Sequence, residues 1–105
     1  MEDKVLVVFQ DKGIRRIWFK GEWYYSVVDI VAVLTGSANP TDYFKKLRKR
    51  DTELGIYLGT NCPHVEMLTE TGKMRNILAG NTKDIFRIIQ SIPSKKAEPF
   101  KLWLA

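Results

Sequence analysis

The chain opens in the alternating pattern of strands, passes to helical spacing, returns to a strand pair and ends in helical spacing. Val5-Leu6-Val7-Val8-Phe9 is apolar and β-branched, and Asp11-Lys12-Gly13 after it predicts a turn whose glycine supplies a positive φ. Ile14 to Lys20 makes a second strand, Gly21-Glu22 a second turn and Trp23-Tyr24-Tyr25 a third strand, together an antiparallel β-meander. Along the middle strand Arg15, Ile17 and Phe19 share one face, and Arg16, Trp18 and Lys20 the other. That second face leaves two readings open. Either Trp18 packs beneath a helix while its neighbours snorkel to water, or the three residues form a basic, aromatic surface.

Ser26 opens the first helix, and Asp29 three residues on is an acidic form of the capping box that satisfies free N–H groups. Val27, Val28, Ile30, Val31, Val33 and Leu34 make this helix apolar on most sides, which predicts burial, and Gly36 ends it. Asn39-Pro40-Thr41-Asp42 starts a second helix. Asn39 suits the N-cap, Pro40 has no N–H to lose, and Asp42 meets the positive end of the helix dipole. Tyr43, Phe44 and Leu47 gather on one narrow arc, while Lys45, Lys46, Arg48, Lys49 and Arg50 fill the rest of the circumference. The two capped helices, joined through Thr35 to Ala38, predict a helix-turn-helix-like arrangement with the basic helix second.

From Asp51 to Pro63 two glycines, an asparagine and a proline predict a long, mobile loop. His64 to Leu68 and Lys73 to Leu78 flank Thr69-Glu70-Thr71-Gly72 as a second hairpin, although Met74 and Leu78 also suit the start of a helix. Asn81 or Thr82 caps a helix that turns Ile85, Phe86, Ile88 and Ile89 inward, and Pro93 interrupts it. Ser94 caps a last helix carrying Ala97, Phe100, Trp103 and Leu104, with Pro99 early in it. The helical pattern runs to Ala105 without a stop signal, which predicts that residues 1–105 are the N-terminal domain of a longer protein. The expected fold is a single α+β domain: an N-terminal meander, two capped helices, a second hairpin and two C-terminal helices.

Composition narrows the compartment and the chemistry. Hydrophobic residues at 45% and charged residues at 28% suit a folded domain and argue against disorder. Cys62 is the only cysteine, so no internal disulfide can form and a reducing, cytoplasmic setting is expected. No apolar run approaches the roughly 20 residues that span a bilayer, and Met1 to Lys4 lacks the basic start of a signal peptide. No membrane association is expected. Cys62 and His64 have no second Cys or His to complete a zinc site, and Pro63 between them argues against a nucleophile–base pair. They read as incidental residues of an exposed loop. Gly72-Lys73 is no phosphate loop, because Met67 and Met74 stand where glycine and Ser or Thr are required. Neither an enzyme nor a cofactor is expected.

The net charge of +5 has an address. Five of the 17 basic residues lie between Lys45 and Arg50, and the other basic residues balance the 12 acidic ones. A local cationic excess is the footprint expected for a polyanion. The second helix then supplies phosphate contacts from Lys45, Lys46, Lys49 and Arg50, with Arg48 as a candidate reader of guanine. Arg15, Arg16, Lys20, Lys73 and Arg75 are candidates for supporting contacts. The alternative is a protein-binding module that captures a repressor or other acidic partner, in which an exposed Trp18 matters more than the cations. A palindromic site would call for a homodimer.

Much of the chain also resembles a known family. The residues that carry the likeness include Ile14-Arg15, the run from Gly21 to Ile30, Val33-Leu34, Asn39-Pro40, Phe44-Lys45-Lys46-Leu47 and the basic tail to Arg50. They continue with Thr71-Gly72-Lys73-Met74-Arg75 and the long stretch from Ile89 to Leu104. In these the chain looks like the Bro-N domain, the N-terminal module of BRO-family proteins and of many phage antirepressor-like proteins. The resemblance implies a compact α+β DNA-binding module, followed by a different C-terminal domain, that serves transcription regulation or antirepression in phage, prophage or large DNA viruses. It implies no enzymatic activity and no defined set of base-contacting residues.

Overall fold

A computed structural model describes residues 6–69 and 71–104, so the expectations placed on Met1 to Val5, Glu70 and Ala105 lie outside the described residues. The order is β1 (Leu6–Phe9), β2 (Lys12–Phe19), β3 (Glu22–Ser26), α1 (Val27–Thr35), α2 (Pro40–Arg50), α3 (Thr52–Asn61), β4 (His64–Leu68), β5 (Met74–Gly80), α4 (Thr82–Ser91) and α5 (Ala97–Leu104). The strands form one antiparallel sheet in the order β1-β2-β3-β5-β4, and the fold is α+β.

Both meander turns fall earlier than the glycines suggest. Gln10 and Asp11, with φ of 48° and 66°, make the first turn, so Phe9 pairs with Lys12 and Gly13 lies inside β2. The reason is register. A two-residue turn places Val7, Phe9 and Ile14 on one face, and Phe9 and Ile14 are both buried there. Lys20 and Gly21 (φ 52° and 83°) make the second turn, which pairs Phe19 with Glu22 and Trp18 with Trp23. The left-handed turn swings Lys20 away from Arg16 and Trp18, and its Nζ sits 5.3 Å from the Phe19 ring centroid.

The sheet has apolar residues on both faces. Phe9, Ile14 and Tyr25 join the main core with α1, the inner sides of α2 and α3, and α4 and α5. On the other face Ile17, Phe19 and Tyr24 pack with Val65, Met67, Ile77 and Ala79 of the β4–β5 hairpin. That hairpin is tied to β3 through only Tyr25–Gly80 and Ser26–Ala79, and β4 also comes into contact with β2.

Helix α1 is buried through Val27, Ile30, Val31, Val33 and Leu34, and Gly36 closes it in the left-handed conformation at φ 66°. Its start differs from a full capping box. Ser26 Oγ accepts from the Asp29 backbone N–H, but the Asp29 carboxylate turns to Arg15 instead. The reciprocal box is found at α4, where Asn81 and Asp84 each accept from the other's backbone N–H.

The largest departure lies between Asp51 and Pro63. The expected loop is the ten-residue helix α3, with Asp51 Oδ1 accepting from Leu54 N–H at 3.0 Å and with Leu54 and Leu58 buried. Leu54 and Leu58 stand four apart on one helix face, and that spacing prevails over two glycines that otherwise read as breakers. Gly55 is there for approach: a Cβ on it would stand 3.3 Å from the Arg48 carbonyl oxygen of α2. Cys62, expected on an exposed loop, is buried at 7% exposure, while His64 is exposed.

Candidate nucleic-acid interface

Helix α2 packs on α1 and α3, and the polarity of its sequence decides which side meets them. Phe44 and Leu47 are buried, Tyr43 is half-buried, and Lys45, Lys46, Arg48, Lys49 and Arg50 are all exposed. Asn39 Oδ1 accepts from Asp42 N–H at 3.1 Å and fixes the helix start, with Pro40 in the first turn. At the other end Asp51 N–H donates to the Leu47 carbonyl at 2.8 Å, so one residue closes α2 and opens α3. Asp51 Oδ2 also accepts from Ser91 Oγ (2.9 Å), and Ser91 accepts from Arg87 (2.7 Å), which ties this junction to α4. The Leu54 N–H first, and then the Ser91 hydroxyl, hold the Asp51 carboxyl below its ordinary value.

Two of the five cations have neighbours on their own helix. Lys46 Nζ lies 3.1 Å from Asp42 in an exposed i,i+4 pair that gives little stability. The Arg48 guanidinium lies 4.6 Å from the Phe44 ring centroid, which restrains it on the outer surface of α2.

Arg15 and Arg16 stand on opposite faces of β2, so the remaining candidates do not form a single patch. Arg15 is a structural tie, donating from Nε to Asp29 Oδ2 at 2.8 Å and from Nη2 to Oδ1 at 2.9 Å. Its Nη1 also reaches the Leu68 carbonyl of β4 at 3.3 Å. Arg15 and Arg75 line one surface hollow together with Asp29, Thr69 and Thr71. Lys73 is exposed in the turn of the same hairpin, whose ends are held by Thr69 N–H donating to the Lys73 carbonyl at 2.7 Å. Arg16 lies on the opposite face of β2, its guanidinium carbon 3.8 Å from the Trp23 ring centroid. The readings left open for Trp18 resolve toward exposure: its side chain is 59% exposed and rests edge-on against Trp23.

Trp23 is the residue that sequence reasoning passed over. The signal was available, because a turn centred on Lys20-Gly21 places Trp18 opposite Trp23. A second omission was buried chemistry under α4. Asp84, 3% exposed, accepts from Tyr57 Oη at 2.8 Å and from Asn81 N–H at 3.0 Å, with the Cys62 thiol nearby. Burial, followed by the Asp84 carboxylate, pushes both the Tyr57 hydroxyl and the Cys62 thiol up to about 12. A thiol so shifted is protonated and inert at neutral pH, the opposite of an activated nucleophile.

A family model, that of the BRO family N-terminal domain, matches residues 13–105. The chain belongs to this family. No curated protein and no solved structure matches it. Within this BRO N-terminal domain the match begins at Gly13, so it takes in α2 and every candidate cation and leaves β1 outside. Among the described residues no helix is long and apolar enough to cross a membrane.

Proposed function

We propose that this domain binds DNA through α2, as the non-enzymatic DNA-binding part of a phage- or prophage-type transcription regulator or antirepressor acting in the cytoplasm. The observation that carries the reading is the separation of roles on one helix. Phe44 and Leu47 anchor it in the core, and five cations project from the surface that is left. Each cation set against a phosphate releases condensed counterion, and the binding constant then falls with salt by a slope of about −0.9 per contact. Lys45, Lys46, Lys49 and Arg50 are assigned to phosphates. Arg48 carries the planar fork that can address a guanine edge.

Replacing Lys45, Lys46, Arg48, Lys49 and Arg50 together by Gln removes the charge and leaves both core anchors in place. The variant is expected to melt like its parent and to lose affinity for random-sequence duplex DNA. Its log–log salt slope should be shallower by about four. An unchanged slope in a filter-binding or anisotropy titration across salt concentrations would count against α2 as the interface.

A further inference from the structure

We infer that Trp18, backed by Trp23 and Arg16, is a stacking platform for an unpaired nucleobase, so that this domain also holds single-stranded or locally opened nucleic acid. The inference rests on the nucleic-acid reading above but concerns residues of β2 and β3, outside α2.

The platform follows from register. The two-residue turn at Lys20-Gly21 puts Trp18 and Trp23 directly opposite one another, one pair in from the turn. In an antiparallel hairpin of this kind that site lacks ladder hydrogen bonds, and its side chains approach most closely. The two indoles meet with centroids 5.3 Å apart and planes at 81°. The Arg16 guanidinium lies 3.8 Å from the Trp23 centroid, so Trp23 is held between a cation and the Trp18 ring. Such an edge-to-face pair fixes the orientation of Trp18. A hairpin staple accounts for that contact. It does not account for leaving Trp18 59% exposed, the one aromatic among the exposed large apolar side chains of the described residues.

Charge identifies the occupant. The six residues that β2 and β3 place on this face are Lys12, Ile14, Arg16, Trp18, Trp23 and Tyr25, with no carboxylate among them. Glu22, the acid of β3, is on the opposite face, where it accepts from Asn81 Nδ2 at 3.2 Å. An indole left 59% exposed beside a cation matches a base on an anionic strand. In a duplex the base faces are already stacked, so the matching ligand has unpaired bases.

The test uses the full chain with a short oligothymidylate and with a duplex of equal length. In the parent protein, oligothymidylate is expected to quench tryptophan emission, and Trp18→Phe should lose most of that quenching. Trp18→Ala should weaken oligothymidylate binding on the order of tenfold, with duplex affinity and salt slope unchanged. Trp18→Tyr should recover most of the loss. Absence of quenching in the parent overturns the inference whether or not any variant folds. So does a folded Trp18→Ala protein that binds oligothymidylate as tightly as the parent, which would turn attention to a protein partner for this face. The five-fold Gln variant of α2 separates the two readings. If it keeps its duplex salt slope while Trp18→Ala still loses oligothymidylate, the α2 reading falls and the platform stands; the reverse pattern removes the platform alone.

Discussion

Arg15 donates from its backbone nitrogen at 2.9 Å and from Nε at 2.8 Å to one Asp29 oxygen, and from Nη2 at 2.9 Å to the other. This joins the centre of β2 to the first turn of α1, where a carboxylate is also favoured by the helix dipole. A charge type that suggests a phosphate contact in the sequence is here committed to the protein itself. Its partner lies 14 positions away, across a strand and a turn, beyond the reach of local spacing rules. The pair is mostly shielded from water, with side-chain exposures of 28% and 15%, so removing one member leaves the other poorly solvated. Asp29→Ala is therefore expected to destabilise the domain by about 2 kcal/mol, read from a chemical-denaturation midpoint. Among correctly folded molecules the DNA salt slope should not change. A reduced slope without lost stability would instead give Arg15 and Asp29 a place in the interface.

At the scale of elements, α3 separates what the sequence made legible from what it concealed. The ends of α1, α2 and α4 were readable because caps are local chemistry: Ser26, Asn39 and Asn81 each accept from an N–H three residues on. The basic and apolar sides of α2 were readable for the same reason, since a helix face is set by spacing alone. Helix α3 was hidden by Gly55 and Gly59, which lower its intrinsic propensity; Gly55 makes sense once α2 is seen alongside, whereas nothing in the packing requires Gly59. The two glycines should now behave differently. A Cβ at Gly59 meets nothing within 4 Å, so Gly59→Ala is expected to stabilise by about 0.5–1 kcal/mol through helix propensity. At Gly55 the added methyl faces the Arg48 backbone carbonyl at 3.3 Å, an atom that cannot rotate away. Gly55→Ala should lose that gain and shift α2, with lower thermal stability and altered DNA affinity. Equal melting temperatures for the two variants would argue against the close α2–α3 packing.

For the whole molecule, the residues that join distant parts are those the sequence presented as incidental. Cys62 follows α3, Tyr57 lies within it, and both converge on Asp84 in the first turn of α4, beside the end of β5. A lone cysteine two positions from a lone histidine invites a catalytic or metal-binding reading. The fold separates them, burying the thiol against a carboxylate and leaving His64 in water. The consequence is an alkaline limit to stability. Cys62 and Tyr57 have folded values raised to about 12, above the ordinary thiol and phenol ranges. The unfolded chain therefore releases these protons first as pH rises. Their contribution is fully present below the ordinary thiol range and is lost progressively as pH climbs toward 12. Denaturation midpoints should fall with pH across that window. The fall should be shallower in Cys62→Ala combined with Tyr57→Phe, even though that variant starts less stable because Asp84 loses a donor. Below that window the Cys62 thiol of the folded protein should react with a disulfide reagent far more slowly than that of the denatured chain. Rapid labelling of the native protein, or an unchanged alkaline slope in the double variant, would show that α3, β5 and α4 do not close over Asp84 in solution.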